Sequence, residues 1–333
     1  MTLSFSFLGR LKTAALSLAV CIFFEIGNRI DSHASPIGNI RKAVVPLEVR
    51  TRKNIPTIAT GFFVEKSSGN YVHVFLATAR HVVETDDPIN DYGVELTVFA
   101  NRNLNDLDAT RGQPRVVSYQ IPLATSAPRN VVFPSDPSID VAVIYLNTKN
   151  IKDRAQIVAQ AEAYSLGKST EPQIWRDTVN IPLPDMLDEP AGDESQLKEI
   201  VFMGFPFGTN KVDWLHPIAR SGVIASPTTK GYVQHNYGPS AFLIDNGPMP
   251  GDSGGPIFSR HTTYGLGIVS VEMRLLGIIS REVPWEQIID NRASRYHPKF
   301  EIERTKLNLG VGYPAKFILE AIDTFLAENI IQE

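Results

Sequence analysis

The chain has 333 residues, 43% of them hydrophobic and 20% charged, a globular composition that excludes a disordered polypeptide. A formal net charge of −4 provides neither a global basic field for nucleic acid nor an acidic tail for a basic partner. The length suits one large domain or two compact ones, and 23 Gly with 23 Pro indicate the frequent turns of an all-β protein.

The first segment in chain order reads as a signal peptide over residues 1–34. Arg10 and Lys12 form a positive flank, and Ala14 to Phe24 form an apolar stretch of eleven residues ended by Glu25. A membrane-spanning helix needs about 20 apolar residues, so the stretch has the length of a signal core and no stable membrane span is expected. Ser32-His33-Ala34 offers small residues where a signal peptidase reads, and an uncleaved anchor is the alternative. The only cysteine, Cys21, lies inside this segment, so the mature chain is expected to hold no disulfide. That pattern indicates an exported protein, periplasmic or secreted, of a bacterial-type envelope. Val20 stands where a lipoprotein signal needs a small residue, which argues against lipidation.

From Ala43 to residue 150 the pattern is short apolar runs bounded by turn residues: Ala43 to Val49, Thr57 to Val64, Tyr71 to Ala77, Gly93 to Ala100, Val116 to Ile121 and Val141 to Leu146. These are strand signals of a sandwich or barrel. A second series fills 200–313: Ile200 to Met203, Ile218 to Ala225, Tyr232 to His235, Ala241 to Ile244, Gly255 to Phe258, Leu266 to Val271 and Leu275 to Ile279. Between them, 151–199 reads as a linker or insertion. Ile151 to Tyr164 is Ala- and Gln-rich and helix-compatible, and Asp177 to Glu199 is acidic, Pro-containing and expected to be exposed. Over 314–330, Pro314 marks a helix start, and Phe317, Ile318, Ala321, Ile322 and Phe325 recur at helical spacing, the signature of a packing face.

Three local motifs carry chemistry. In Gly251-Asp252-Ser253-Gly254-Gly255-Pro256, glycines around a serine allow a turn tight enough to aim backbone N–H groups into one small hole. In Phe75-Leu76-Ala77-Thr78-Ala79-Arg80-His81, a strand and small residues deliver a histidine able to take and return a hydroxyl proton. In Pro137-Ser138-Ile139-Asp140-Val141-Ala142-Val143, an acid stands at the mouth of a strongly apolar strand, where a buried carboxylate could hold a histidine tautomer. Asp136 competes with it but lies in the preceding loop, where capping a turn is its bland role. The serine motif also fits the G-x-S-x-G pattern of α/β-hydrolases, but that fold needs a helix after the serine and the order Ser, acid, His. Here strand-like Pro256-Ile257-Phe258 follows, and Asp290 and His297 lie close together with no βα pattern between them.

The three segments resemble the His, Asp and Ser motifs of chymotrypsin-like (trypsin-fold) serine proteases, in that family's chain order. The resemblance implies an all-β fold of two six-stranded antiparallel β-barrels, residues 43–150 and 200–313, with a C-terminal helix. It implies serine endopeptidase activity on polypeptides with His81, Asp140 and Ser253 as the triad. The backbone N–H groups of Gly251 and Ser253 would form the oxyanion hole, and no metal or organic cofactor would be required. Gly267-Ile268-Val269-Ser270 resembles the strand after the nucleophile, where substrate backbone pairs, so Ser270 would support the catalytic Asp. Ser270, Val271 and Glu272 would line the substrate site with Gly247 at the pocket base. Gly204-Phe205-Pro206-Phe207-Gly208, Ser221-Gly222-Val223-Ile224, Asp245 and Gly310-Val311-Gly312-Tyr313-Pro314 resemble the HtrA-type bacterial branch in particular. The chain departs from that branch in showing no PDZ module after the protease. It also has Asp252 where Asn is common; in trypsin-like enzymes such an Asp can bind an N-terminal ammonium, here one freed by a cut near Ile37 or Ala43. Glu272, where Gly is frequent, would narrow the pocket or favour basic side chains, whereas Gly247 removes the acid that selects Arg or Lys and leans toward apolar or small ones. The alternatives are a protease-like scaffold without activity and an esterase using the same three residues.

Overall fold

The computed structural model describes residues 36–51, 56–69, 71–84, 93–101, 116–123, 130–150, 180–190, 195–207, 216–227, 237–238, 240–265, 268–291 and 299–329. The signal segment with Cys21, the helix-compatible run 151–164 and the expected strand 232–235 lie outside them. No described helix is long and apolar enough to cross a membrane.

A short helix, α1 (Pro36–Ala43), runs into β1 (Val44–Thr51), followed by β2 (Pro56–Ser68), β3 (Tyr71–Thr78), α2 (Arg80–Val83), β4 (Gly93–Asn101), β5 (Val116–Pro122), β6 (Val131–Val132) and β7 (Ala142–Asn150). With β8 (Ile181–Leu183) these strands form one eight-stranded sheet of order β5-β4-β1-β2-β3-β7-β6, in which β8 pairs with β2. Alternate residues of a strand face opposite ways. Ala59 and Phe63 of β2 therefore enter the core with Leu47, Val49, Leu76, Leu96 and Ile144. Thr60 and Phe62, on the other face, are buried as well. A single-faced sheet would expose them; here Thr60 meets the second sheet.

The first barrel expected from sequence is this sheet, with no seam between β5 and β7 among the described residues. The edge of β7 that β5 would need is taken by β6, through Val131↔Ile144 and Val132↔Val143. The acidic linker is also less exposed than expected. Ile181 and Leu183 are buried, and β8 runs parallel to β2 through Val64↔Ile181 and Lys66↔Leu183. Further on, Asp188 accepts Lys198 Nζ at 2.5 Å, His261 Nε2 at 3.1 Å and the Ser259 hydroxyl, which stitches the segment to the second barrel.

The second half is a closed barrel of order β10-β11-β14-β13-β12-β9. Its strands are β9 (Glu199–Gly204), β10 (Ile218–Ser226), β11 (Phe242–Asp245), β12 (Pro256–Gly265), β13 (Ile268–Asn291) and β14 (Lys299–Pro314). Ile200, Phe202, Ile224, Phe242, Ile244, Ile257, Leu276 and Ile279 fill its core. The two strands expected at 266–271 and 275–279 form one, the 24-residue β13, which continues to Asn291 in a long hairpin with β14.

The last element, α3 (Lys316–Asn329), begins two residues after Pro314, because Pro314 is still paired with Gly277 in the barrel. Ile318, Ala321, Ile322, Phe325 and Leu326 are its buried face. Phe317 is half-buried beneath Lys316, whose Nζ lies 5.7 Å from the ring centroid. The helix covers the outer face of the first sheet: Phe325 stacks on Tyr145 of β7 at 4.6 Å and meets Phe75 of β3 edge-on at 5.8 Å. Each large apolar side chain so buried contributes up to about 1.5–3 kcal/mol.

Candidate active site

His81 sits in α2, one turn of helix directly after β3. Val82 and Val83 anchor that turn in the core, and Arg80 lies 4.5 Å over the Phe133 ring while pairing with Glu84. Asp140 precedes β7. The turn leading to it is built by Asp136, whose carboxylate accepts the Ser138 N–H at 2.8 Å and whose carbonyl accepts the Ile139 N–H at 3.1 Å. Asp136 thus has the capping role and is exposed, while Asp140 is 6% exposed and faces inward.

Asp140 and His81 meet through two bonds. The carboxylate accepts the His81 backbone N–H at 2.8 Å, and its other oxygen lies 2.7 Å from His81 Nδ1. An ionised carboxylate only accepts, so Nδ1 carries the proton and Nε2 is left as the acceptor. The Ser280 hydroxyl donates to the same carboxylate oxygen, and Arg281 Nη2 stands 3.6 Å from it. Burial pushes the Asp140 carboxyl up. The charge and hydrogen bond of the His81 ring, the Ser280 hydroxyl and the His81 N–H outweigh burial and hold it well below the usual carboxylate range.

Ser253 is delivered from the second barrel by a turn that only glycines can make. Gly251 has φ +100° and Gly254 φ +86°. A Cβ on Gly254 would stand 2.1 Å from the Thr60 carbonyl oxygen and 3.0 Å from the Ala79 nitrogen, two residues before His81. The turn is tied to both sheets. Thr60 N–H donates to Ser253 O at 2.9 Å, Thr60 Oγ1 donates to Gly251 O at 2.7 Å, and Gly254 N–H donates to Ile279 O at 2.8 Å. Ser253 is half-buried, and among the described residues no hydrogen bond joins its hydroxyl to His81. Within the turn, the N–H of Asp252, Gly254 and Gly255 donate to Met249, Ile279 and Asp252 carbonyls. Among the described residues, those of Gly251 and Ser253 do not, and are the two available to an incoming oxygen. The arrangement can hold a hydroxyl, a base oriented by a carboxylate, and a pair of donors in one place.

Gly247 is buried, its N–H donating to Asn308 O at 2.8 Å and its carbonyl accepting Arg220 Nη1 at 3.2 Å. The other three substrate-site residues expected from sequence lie elsewhere. Ser270, Val271 and Glu272 pair with Thr263, Thr262 and His261 in the outer β12–β13 hairpin, and Glu272 is exposed and bonded to Arg274. Ten residues of extended chain, roughly 30 Å, separate Ser270 from the site. The residue on Asp140 is instead Ser280. Its segment, Gly277-Ile278-Ile279-Ser280, repeats the Gly267-Ile268-Val269-Ser270 pattern, and that second copy was the available signal. Asp252, the position that can hold an N-terminal ammonium in trypsin-like enzymes, pairs here with a side-chain cation. The carboxylate accepts Arg220 Nη2 and the Met249 N–H, the latter at 2.8 Å. Arg220 and Thr60 had no local sequence signal. Among the described residues no group of three or more His, Cys, Asp or Glu side chains could hold a metal ion.

A family-model match agrees with this architecture. Residues 59–268 match the family model described as trypsin-like peptidase domain. Protease Anisep from Arthrobacter nicotinovorans is similar at 12% identity and TM-score 0.46, over 87% of this chain and 97% of its own. The HtrA-type protease AlgW with tripeptide is similar at 16% identity and TM-score 0.44, over 88% of this chain and 62% of its own. A serine endoprotease from Yersinia pestis is similar at 14% identity and TM-score 0.38, over 88% of this chain and 65% of its own. No curated protein matches the chain. With the family model spanning well over half its length, and with a rolled sheet and a closed barrel meeting at a glycine-bounded serine turn, this chain belongs to the trypsin-like peptidase family.

Proposed function

We propose that the protein is an exported serine endopeptidase that cleaves polypeptides through an acyl-enzyme. The observation that carries this reading is the 2.7 Å contact between His81 Nδ1 and the buried Asp140 carboxylate, and the bond from Thr60 N–H to Ser253 O that ties the serine turn to the sheet leading to them supports it. In the proposed reaction Ser253 Oγ attacks the scissile carbonyl carbon as His81 Nε2 takes the hydroxyl proton. Asp140 keeps Nδ1 protonated and balances the imidazolium that forms. The Gly251 and Ser253 N–H groups receive the oxyanion, each donor contributing about 3–4 kcal/mol in comparable sites. His81 then passes its proton to the leaving amine, and a water molecule deprotonated by the same nitrogen releases the acid. Apart from substrate and that water, every step uses groups of this chain. The strand around Ser280, adjacent to both Ser253 and Asp140, is the candidate edge for pairing with substrate backbone. Gly247 leaves the pocket base without a side chain, which favours apolar or small residues there.

A fluorophosphonate is expected to label wild-type protein at Ser253 and to leave Ser253→Ala unlabelled. Wild-type protein is expected to cleave unfolded casein while Ser253→Ala does not. Equal casein cleavage by the two would refute the proposal, and a folded wild type that takes no label would favour a scaffold. Export rests on Arg10, Lys12 and the apolar run Ala14 to Phe24; an N-terminus at Met1 in the exported protein would refute removal of the signal segment.

A further inference from the structure

Asp252 is 1% exposed, the most deeply buried carboxylate of the site. A carboxylate in that position is costly unless it is paired and hydrogen-bonded. Its partner is Arg220 of β10, whose side chain is 14% exposed and whose guanidinium lies 4.6 Å over the Phe202 ring. One guanidinium edge reaches Asp252 while Nη1 donates to Gly247 O at 3.2 Å. The same Asp252 carboxylate accepts Met249 N–H at 2.8 Å, and Asp252 N–H returns to Met249 O at 3.0 Å. Segment 247–252 is therefore clamped at both ends by one cation, and this segment ends at the Gly251 and Ser253 N–H groups proposed to receive the oxyanion.

We propose that Arg220 is a positioning residue that holds the 247–252 turn in its working shape, so that the protein is competent without any cut that frees a new amino terminus. Nothing further is needed to neutralise Asp252, because the cation is supplied from within the second barrel. Burial pushes the Asp252 carboxyl up, and its bonds to Met249 and Arg220 pull against that rise; removing the guanidinium leaves the burial unopposed on that side. Lysine in place of Arg220 would keep the charge and lose the fork that serves Asp252 and Gly247 together.

This inference rests on the serine-peptidase reading, and the test separates the two. Fluorophosphonate labelling of the full chain is measured for wild type, Arg220→Lys and Arg220→Ala, alongside amide exchange at Met249. Arg220→Ala is expected to label about 10- to 100-fold more slowly, less than the roughly 100- to 1,000-fold loss on deleting an oxyanion donor outright, because the donors are displaced and not removed. Arg220→Lys is expected to fall in between, and added guanidinium ion to restore part of the Arg220→Ala rate. Met249 N–H is expected to exchange faster in Arg220→Ala while amides of the barrel core keep their wild-type protection. Uncut chain, verified by intact mass, is expected to label as fast as chain cut between residues 36 and 43. A folded Arg220→Ala with wild-type labelling and wild-type Met249 exchange would overturn the inference, as would labelling that appears only after the cut. If wild type takes no label, the serine-peptidase reading fails, and unchanged Met249 exchange in Arg220→Ala would still sink the clamp on its own.

Discussion

Thr60→Val isolates the strut between the two sheets. Thr60 is fully buried. Its hydroxyl donates to Gly251 O at 2.7 Å and accepts the Phe205 N–H at 2.9 Å. Valine has nearly the same shape and keeps the backbone bond from Thr60 N–H to Ser253 O, so the change removes one oxygen and strands two backbone groups. A buried donor or acceptor left without a partner costs about 1–3 kcal/mol, so the pair predicts a loss of about 2–6 kcal/mol. Thr60→Ser keeps the hydroxyl and gives up one methyl, a loss of about 1 kcal/mol. Urea unfolding of the three proteins, run beside fluorophosphonate labelling, measures both consequences. The valine variant is expected to be the less stable by a clear margin and to label more slowly, because Gly251 O loses the bond that orients its peptide. If Thr60→Val proves as stable as Thr60→Ser, the Thr60 hydroxyl is not the strut and the argument is wrong.

Ser280→Ala removes a donor from the Asp140 carboxylate, lets that carboxyl rise toward its ordinary value, and is expected to slow labelling roughly tenfold, the scale of one hydrogen bond to a charged group; Ser270→Ala, in the outer hairpin, should label at the wild-type rate. Asp140 and Asp188 are both held below the ordinary carboxylate value, Asp188 at about 2. For Asp188, burial opposes the shift and bonds from Lys198, Ser259 and His261 overcome it. A depressed folded value means stability that is present above the unfolded value, about 3.9, and is lost as pH falls through the folded one. Melting temperature is therefore expected to fall progressively below about pH 4, and less steeply in Asp188→Asn; an acid limb identical in the two proteins would contradict the Asp188 part.

The parts of the site that could be read from sequence are those whose signal is local. His81 follows a strand and small residues, Asp140 opens a strand, and Ser253 is framed by glycines whose positive φ angles the turn requires. Ser280 was legible in kind but not in place, because the Gly-Ile-x-Ser pattern occurs twice and only pairing across the barrel decides which copy faces Asp140. Arg220 and Thr60 carry no motif, since their roles exist only after distant strands have met. The same limit applies to the fold. Individual strands such as β2, β3 and β7 follow from their apolar runs, whereas the lack of a β5–β7 seam among the described residues goes with two-residue β6 pairing on the edge of β7. The long β13–β14 hairpin was missed despite the alternation of Phe300 and Ile302 with Glu301 and Glu303, because Pro284 and the polar residues around it interrupt its other half.

The sheet that bears His81 and Asp140 is completed from far along the chain. Lys66 meets Asp323 across 257 residues of sequence, and the Ser135 hydroxyl meets Glu320 across 185. Contacts of such separation require large loops to close before they stabilise anything, and they form late and slowly. Until α3 reaches the backs of β3 and β7, Phe75 and Tyr145 face water and the strands next to His81 and Asp140 lack their outer layer. Ser253 lies between Asp140 and α3 in chain order. The fold therefore brings Ser253, His81 and the layer behind them together in one late closure.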